Sequence, residues 1–382
     1  MIYLDHAATS YPKPPQVLAA MNDFLERAGG NPGRSGHRLS IAAGRIVYDT
    51  RESLAELFGI SDPLRILFMQ NATYALNTVL QGLLHPGDRV VTGGMEHNAV
   101  MRPLRELEKR GVQVDVIPAE SDGSIHASAC ADVLRAGARL AAINHASNVT
   151  GTIAPILEIA KLTHAAGAFL LVDAAQTAGV LPIHMTDMGI DLLAFTGHKG
   201  LQGPPGTGGL VLADSFDPSQ LDPLVRGGTG SRSEFEIQPD DLPDRYESGT
   251  PNGVGIAGLG AGLNWLKEYG MDVLRAHEIE LTTRLREGLG NIKGLHLYGV
   301  NDPNLSTAVI SFTLDGKRVS EIGYRLDDEY EIFCRVGLHC APAAHRSIGT
   351  FPEGTVRFAP GPLTTLTEID ATIRALERIA AS

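Results

Sequence analysis

Apolar and polar positions follow two different periods between about residue 36 and residue 212. Apolar residues three or four positions apart predict amphipathic helices, and the short apolar runs between them predict buried strands. The predicted helices are 36–58, 72–83, 97–110, 127–136 and 155–166, and the predicted strands are 65–69, 88–92, 113–117, 139–144, 169–173, 191–195 and 208–213. Strands separated by helices need crossover connections, so the pattern predicts a mostly parallel sheet with helices on both faces.

The pattern changes after residue 214. Residues 214–252 are rich in Gly, Pro, Asp and Ser, which is typical of a long functional loop region. The predicted helices beyond it are 253–269, 271–290, 318–328 and 366–380, and the predicted strands are 306–314, 332–336 and 355–358. We therefore expect an α/β protein with a large domain over 15–255 and a smaller α+β domain formed by 1–14 and 256–382.

Composition narrows the class of protein. The 382 residues include 32 Lys and Arg against 44 Asp and Glu, a net charge of −12 that argues against a nucleic-acid binder or a basic membrane-surface protein. No secretory signal and no long apolar span is read in the chain. Cysteine is scarce, with Cys130 and Cys334 interpreted as packing residues and Cys340 as a candidate reactive thiol. These features predict a cytoplasmic enzyme.

Several polar residues follow predicted strands, at the edge where ligands gather in an open parallel sheet. Asn71 opens a helix, so the free N–H groups there and the Thr73 hydroxyl are candidates for a phosphate site, although an ordinary N-cap has the same sequence. His97 is a candidate for ring stacking or proton transfer, or an ordinary loop histidine. Asn148 is a candidate ligand residue or a turn former.

Two residues at strand ends carry stronger signals. Asp173 closes the apolar run 169–173, where a partly buried carboxylate needs a cationic partner to stay ionised, although a helix-capping role is the alternative. Lys199 enters a turn rich in glycine and proline directly after a strand. A lysine in such a turn suits Schiff-base chemistry with a carbonyl. The chain lacks both the P-loop motif and a glycine-rich dinucleotide motif between an early strand and helix, which argues against ATP and dinucleotides.

Two further candidates lie near the C-terminus. Cys340 follows a predicted strand, with His339 beside it and Arg335 nearby, and such positive neighbours favour the reactive thiolate. A buried structural cysteine, or a metal site with His339 and His345, is the alternative. Arg357 lies in a strand and is either a bidentate clamp for a carboxylate or one member of a surface ion pair.

Together these residues carry a resemblance to a known family. The chain resembles class V aminotransferase-fold enzymes that use pyridoxal 5'-phosphate, and within them the cysteine desulfurase and selenocysteine lyase family. The resemblance extends from Tyr3 to the C-terminal helix and implies the type I fold of pyridoxal-phosphate-dependent transferases. The matching motifs, in chain order, are Asn71-Ala72-Thr73, Glu96-His97-Asn98-Ala99, Asp173-Ala174-Ala175-Gln176, Thr196-Gly197-His198-Lys199, Glu247-Ser248-Gly249-Thr250-Pro251-Asn252 and Arg335-Val336-Gly337-Leu338-His339-Cys340.

The resemblance implies roles around the cofactor. Lys199 would form the Schiff base and later move the Cα proton, while Asp173 would pair with the pyridine nitrogen. His97 would stack on the ring, and Gln176 and Asn148 would hold its phenolic oxygen. The residues implied in phosphate binding are Ala72, Thr73, Thr196, His198 and, from a neighbouring subunit, Thr250, so a homodimer is expected.

The resemblance also implies a reaction. Arg357, with Asn148 and Arg335, would bind the carboxylate of L-cysteine or a related amino acid, and Cys340 would accept the sulfur as a persulfide, leaving alanine. A sulfur-acceptor protein is a possible partner. Another class V reaction, such as an aminotransferase, an epimerase or a carbon–sulfur lyase in which Cys340 is not catalytic, is the alternative.

Overall fold

The computed structural model describes residues 1–33 and 35–382. Over these residues the chain forms helices on both sides of its sheets, and none of these helices is long and apolar enough to span a membrane. The helices are α1 (Pro15–Arg27), α2 (Arg38–Phe58), α3 (Ala72–Leu83), α4 (Asn98–Glu108), α5 (Ala127–Leu134), α6 (Ile156–Ala165), α7 (Met185–Met188), α8 (Gly253–Tyr269), α9 (Met271–Gly290), α10 (Val319–Tyr330), α11 (Pro342–Ser347) and α12 (Leu366–Ala381).

The strands fall into one large and two small sheets. They are β1 (Ile2–Tyr3), β2 (Ile66–Met69), β3 (Arg89–Gly93), β4 (Gln113–Ile117), β5 (Leu140–Asn144), β6 (Phe169–Asp173), β7 (Leu192–Thr196), β8 (Gly208–Leu212), β9 (Leu295–Tyr298), β10 (Ile310–Leu314), β11 (Ile332–Phe333), β12 (Arg335–Gly337) and β13 (Thr355–Phe358). The large sheet has the order β2-β8-β7-β6-β5-β3-β4, and β8 runs antiparallel to both neighbours. The pairs β7–β6, β6–β5, β5–β3 and β3–β4 are parallel, so the predicted α/β fold class is confirmed.

Two apolar clusters fill the interior. The first packs around the large sheet and includes Leu67, Leu171 and, from α8, Trp265. The second packs around the antiparallel sheet β12-β13-β10-β9 and includes Phe312 and Phe358. Helix α8 packs in the first cluster, so its residues lie with the large sheet. The domain boundary expected near residue 255 stays a prediction.

Two predicted strands near the C-terminus differ from the structure. The strand predicted at 306–314 begins only at Ile310, because Pro303–Leu305 forms a 3-10 turn and Ser306 only bridges to Thr152. The strand predicted at 332–336 is two strands separated at Cys334. The first of them pairs with β1 and the second with β13, so the chain changes sheets at this cysteine.

Helices α1 and α11 are absent from the sequence-based prediction. Both begin directly at a proline, Pro15 and Pro342, and the first helical position is the one place in a helix where proline lacks no hydrogen bond. Helix α11 follows Cys340 by two residues, so the segment after this cysteine is partly helical and packed through the buried Ala344 and His345. The segment between Cys340 and β13 is therefore short and anchored.

The long segment 214–252 is fixed to the sheet through a buried ion pair. The carboxylate of Glu247 accepts hydrogen bonds from both Nη atoms of Arg51, at 2.8 and 2.9 Å, and from the backbone N–H of Phe68 at 2.6 Å. Arg51 is 4% exposed, so this bidentate contact is largely shielded from water. It sets the position of the following residues, which include Thr250.

Candidate active site

A cavity of about 710 Å³ lies at the carboxyl ends of β6 and β7, against the first turns of α3 and α4. Its position agrees with the rule that ligands bind at this edge of an open α/β sheet. The structure places nine of the sequence-predicted site residues on its wall: Ala72, Thr73, His97, Asn148, Asp173, Gln176, Thr196, His198 and Lys199.

One end of the cavity suits an anion. The side chain of Asn71 accepts a hydrogen bond from the N–H of Tyr74 at 3.0 Å, so the capping interpretation of this residue is correct. The neighbouring Thr73 still faces the cavity at the positive end of the α3 dipole. Across from it, the Thr196 hydroxyl is buried and has no hydrogen-bond partner among the described residues. A buried hydroxyl in this state favours a polar ligand.

Asp173 and Lys199 provide opposite charges at the centre. Burial raises the pKa of Asp173, and this rise is opposed by the hydrogen bond that its Oδ1 accepts from the N–H of Ala175 at 2.9 Å and by the charge of Lys199. Burial lowers the pKa of Lys199 to about 8, although the charge of Asp173 opposes the shift. The amine of Lys199 is therefore far more often neutral near pH 8 than an exposed lysine amine is.

The turn that carries Lys199 is held by the N-terminal segment of the chain. The carbonyl of His198 accepts hydrogen bonds from Nζ of Lys13 at 2.8 Å and from Oγ1 of Thr9 at 3.1 Å. The His198 ring also contacts Thr9, with Nδ1 and Oγ1 3.1 Å apart. The sequence analysis assigned no role to Thr9 or Lys13, because neither lies near Lys199 in the sequence.

His97 and Glu96 lie together before α4. Nδ1 of His97 accepts a hydrogen bond from the N–H of Ala99 at 3.0 Å, and burial, with Lys199 next in effect, lowers its pKa to about 4. Its ring is therefore neutral near pH 7. Glu96 is fully buried, accepts a hydrogen bond from the N–H of Asn144 at 2.9 Å, and has its pKa raised by burial to about 8. This protonated carboxyl behind the cavity was not singled out from the sequence.

Cys340 lies in a strained turn at the mouth of the site. His339 and Cys340 have φ angles of 49° and 57°, a left-handed conformation that is unusual for residues other than glycine. Two hydrogen bonds hold the turn. They run from Nδ2 of Asn148 to the His339 carbonyl and from the N–H of Asn98 to the Cys340 carbonyl, both at 2.8 Å. The thiol is exposed, and its sulfur accepts a contact from Nη2 of Arg335 at 3.4 Å.

His339 packs in the core and carries no charge that could act on the thiol. It is 3% exposed, its Nε2 lies 3.0 Å from Oγ1 of Thr355, and burial lowers its pKa to about 2. His345 has its own partner, with Nδ1 2.6 Å from Oγ1 of Thr350. Among the described residues no group of three or more His, Cys, Asp and Glu side chains has the arrangement of a metal site. The positive neighbour of the Cys340 sulfur is Arg335.

Arg357 forms an ion pair, but a buried one. Its side chain is 1% exposed; Nη2 donates to Oδ1 of Asp5 at 2.6 Å and Nη1 donates to the Asn148 carbonyl at 2.9 Å. The alternative of a surface ion pair is therefore wrong, because β13 places this residue in the interior. Its Nε has no partner among the described residues, so the N–H of this nitrogen is free to donate to a ligand.

Four predicted positions do not line the cavity: Thr250, Arg335, Cys340 and the buried Arg357. Thr250 is exposed in a separate groove, where its hydroxyl lies 3.4 Å from Nδ2 of Asn31. Arg335 and Cys340 lie at the mouth instead of on the wall. Of the other cysteines, Cys130 is buried in α5, as the packing interpretation predicts, and Cys334 is half-buried against the second apolar cluster.

The buried titratable groups predict how stability changes with pH. Burial lowers the pKa of His145 and His345 to about 4, against about 6.5 for an unfolded histidine. Between those values the unfolded chain binds more protons, so the free energy of unfolding falls as the pH falls. Glu96 and Glu278, with pKa values raised by burial to about 8 and about 7, act in the opposite direction below those values. Burial lowers the pKa of six histidines (His6, His97, His145, His198, His339 and His345) and raises the pKa of only three carboxyls (Glu96, Asp173 and Glu278), so we expect the urea midpoint to decline from about pH 6.5 to pH 4.5.

A pair of variants tests this cause. His345→Gln should flatten the decline, whereas His296→Gln should not, because His296 is 58% exposed beside Asp315. A urea midpoint that rises steadily on acidification from pH 6.5, or an equal effect of both variants, would contradict the assignment to buried histidines.

Comparison with known proteins gives one consistent result. The family model described as Aminotransferase class-V matches residues 2–372. A relative from Methanothermobacter thermautotrophicus, named probable cysteine desulfurase, is 33% identical over 383 residues, covering 99% of this chain and 94% of its own. A Pectobacterium atrosepticum protein named cysteine desulfurase is 32% identical, covering 99% of this chain and 93% of its own. The apo structure of a cysteine desulfurase from Thermococcus onnurineus superposes with a TM-score of 0.93 at 31% identity, covering 100% of this chain and 94% of that one.

Proposed function

The chain belongs to the class-V aminotransferase family, and from that premise we propose that it is a pyridoxal-phosphate-dependent cysteine desulfurase. The observation that carries the proposal is an exposed cysteine, Cys340, held by hydrogen bonds at the mouth of a cavity that contains Lys199 and Asp173. The other reactions of the family need no thiol at this place. The net reaction is L-cysteine plus the Cys340 thiol giving L-alanine plus a Cys340 persulfide.

The residues around the cavity fit pyridoxal phosphate. An unpartnered buried hydroxyl on Thr196 and the N-terminus of α3 at Ala72 and Thr73 suit a phosphate, with His198 beside them. Asp173 suits a protonated pyridine nitrogen, and its buried carboxylate gains a cationic partner in this way. We assign ring stacking to His97 and contacts with the phenolic oxygen to Gln176 and Asn148, whose Oδ1 is buried without a partner among the described residues.

When bound, pyridoxal phosphate supplies a carbonyl that takes up an amine and a ring that accepts electrons from the substrate carbon. Lys199 is the amine that holds it, and the same nitrogen then takes the Cα proton of L-cysteine, which suits a lysine whose pKa is lowered to about 8. Arg357 binds the substrate carboxylate through its free Nε, supported by Asn148 and Arg335. Cys340 attacks the substrate sulfur as its thiolate, with Nη2 of Arg335 3.4 Å from its sulfur. A sulfur–sulfur bond forms, the carbon–sulfur bond breaks, and its electron pair leaves on the carbon that is protonated to alanine.

A homodimer and an acceptor are part of the proposal. Thr250 lies in a groove apart from the cavity of its own chain, and we assign it to the phosphate of a neighbouring subunit. The persulfide on an exposed Cys340 needs a second thiol to leave the protein, so a sulfur acceptor is required for turnover. Selenocysteine presents its selenium on the same carbon and is a second candidate substrate.

Product analysis tests the proposal. Purified protein loaded with pyridoxal phosphate should release alanine and sulfide in equal amounts from L-cysteine when a reductant is present. Formation of pyruvate in place of alanine, or of no product while another amino acid changes the absorption of the bound cofactor, would assign the chain to another reaction of the family.

Arg357 gives a more specific prediction. Arg357→Lys keeps the charge beside Asp5 but removes Nε and the planar donor pair, so the KM for L-cysteine should rise about 10- to 100-fold, the loss of one hydrogen bond to a charged group. Steady-state alanine formation measures this. The matched control is Arg284→Lys, because Arg284 is 52% exposed and binds Asp370 on the surface. An unchanged KM in a folded Arg357→Lys protein would place the carboxylate elsewhere.

A further inference from the structure

A second cavity leads away from Cys340 between α3 and α4, and we call it the α3–α4 groove. It contains about 1010 Å³ of empty space and shares Thr73 and His97 with the cofactor cavity. Its other walls are Asn77 and Gln81 on α3, Asn98 and Arg102 on α4, Arg110 just beyond α4, and Cys340 at its inner end.

The groove has an unpaired positive charge. The guanidinium of Arg102 is exposed and makes no hydrogen bond or ion pair with any residue that the structure describes. The cation one turn further along α4, Arg105, is instead neutralised by Glu108. The acidic side chain that lines the groove, Glu106, is bound by Lys109 at 3.0 Å and by Arg110 at 3.9 Å. The groove is therefore locally positive, in contrast to the net charge of −12 of the whole chain.

The opposite wall is polar and uncharged. Nε2 of Gln81 donates to Oδ1 of Asn77 at 2.9 Å, and Nδ2 of Asn77 donates to the Thr73 carbonyl at 2.9 Å. The side-chain oxygen of Gln81 and the second amide N–H of both Asn77 and Gln81 are not used in these bonds and can bind a ligand. A guanidinium facing a neutral amide wall favours a ligand that carries carboxylate groups.

We propose that the α3–α4 groove binds the sulfur acceptor, a small thiol that carries one or more carboxylates, with Arg102 as the residue that selects for its negative charge. This inference rests on the proposed function, because the acceptor reacts with the Cys340 persulfide. The acceptor thiolate attacks the outer sulfur, a new sulfur–sulfur bond forms, and the Cys340 thiolate leaves. The balance is Cys340–S–SH plus R–SH giving Cys340–SH plus R–S–SH, so no oxidant or reductant is consumed.

Shape and position support a small acceptor. The part of the groove that a water molecule can enter, about 520 Å³, lies within the usual range for small-molecule sites, about 300–1,000 Å³. Because the groove ends at Cys340, a thiol held along it reaches the sulfur without entering the cofactor cavity. An acidic cysteine-containing segment of a protein would offer the same chemistry, and the experiment uses free thiols to isolate the small-molecule case.

Discharge of the persulfide tests the proposal. The loaded enzyme is treated with L-cysteine, desalted and mixed with 2-mercaptoethanol, cysteamine or mercaptosuccinate while the loss of the persulfide is followed. For each thiol the rate is expressed as the ratio of variant to wild type, which cancels the reactivity of the thiol itself. Arg102→Gln should slow discharge by mercaptosuccinate about three- to five-fold, the size of an exposed ion pair, and should leave the ratio for the other two thiols near one.

Two controls and two contrary results define the test. Arg105→Gln removes a charge from the same helix outside the groove and should not discriminate among the thiols. The mercaptosuccinate effect should also weaken as NaCl is added. The proposal is wrong if Arg102→Gln slows all three thiols equally, or if it slows persulfide formation from L-cysteine as much as it slows discharge, since Arg102 would then guide the substrate.

A second measurement does not depend on the persulfide. Alkylation of the unmodified Cys340 thiol by negatively charged iodoacetate and by neutral iodoacetamide is followed on the peptide by mass spectrometry. Arg102→Gln should slow the iodoacetate reaction relative to iodoacetamide by the same three- to five-fold, and Arg105→Gln should not. If wild type forms no persulfide, the proposed function fails. If Arg102→Gln and Arg105→Gln show the same preference for iodoacetate, the groove does not select anions and this inference fails.

Discussion

Replacement of Lys199 by alanine is expected to reduce alanine formation from L-cysteine by at least about 10³-fold, because one nitrogen performs two tasks. In the proposed function this nitrogen would hold the cofactor covalently and would take the Cα proton. Its lowered pKa, about 8, results from burial in a turn that Lys13 and Thr9 fix through the His198 carbonyl. Alanine release under saturating L-cysteine measures the loss.

A covalent readout separates this role from a structural one. Borohydride treatment of the loaded wild-type protein should attach the cofactor to the peptide that contains residue 199, whereas Lys199→Ala should give no adduct and lose its cofactor on denaturation. Lys161→Ala is the matched control, since Lys161 is exposed on α6. A Lys199→Ala protein that keeps more than a few per cent of activity would exclude Lys199 as the proton-transfer group.

The strand ends around Lys199 were predictable from sequence because each signal is local. The apolar run 169–173 ends in Asp173, and the structure places that carboxylate on the cavity wall. Likewise, Asn71 caps α3 as its position predicts. Parallel strands bring their carboxyl ends to one edge, so correct strand assignments are sufficient to place these residues together.

The contacts that complete the site could not be predicted in the same way. Asp5 binds Arg357 across 352 positions, and Lys13 reaches the His198 carbonyl across 185. Such contacts depend on where β1 pairs, and β1 is a two-residue strand that pairs with another two-residue strand, β11. A two-residue strand has no periodicity to detect. The antiparallel direction of β8 was also beyond an apolar pattern, which carries no strand direction.

The reactive turn shows the same limit at close range. A sequence-based argument identifies Cys340 and its positive neighbour Arg335, but it also counts His339 as a positive neighbour or as a metal ligand. The structure gives His339 a different role, because a histidine of lowered pKa that is bonded to Thr355 anchors the turn and contributes no charge. The charge beside the sulfur and the conformation of the turn thus come from different residues.

Replacement of Cys340 by alanine is expected to abolish persulfide formation from L-cysteine while the cofactor stays bound, because the side chain lies outside the cofactor cavity. Alanine and sulfide should fall to the level of the reaction without protein. The remaining cysteines cannot substitute. Burial raises the pKa of Cys334 to about 12 and that of Cys130 to about 11, so neither forms a thiolate near neutral pH.

Cys334→Ala is the control that makes this result specific. It removes a thiol six positions away at the change of sheets and should leave the persulfide, detected as a mass increase of one sulfur atom on the Cys340 peptide, at the wild-type level. Cys340→Ser separates nucleophilicity from shape. The serine side chain is similar in size, so the hydrogen bonds to the carbonyls of residues 339 and 340 that hold the turn should remain. Its hydroxyl, however, is far less ionised than a thiol at pH 8. Sulfur transfer that persists in Cys340→Ala would mean that another group attacks the substrate sulfur. Loss in Cys334→Ala equal to that in Cys340→Ala would mean that the packing of this segment, and not the thiol at its tip, controls the reaction.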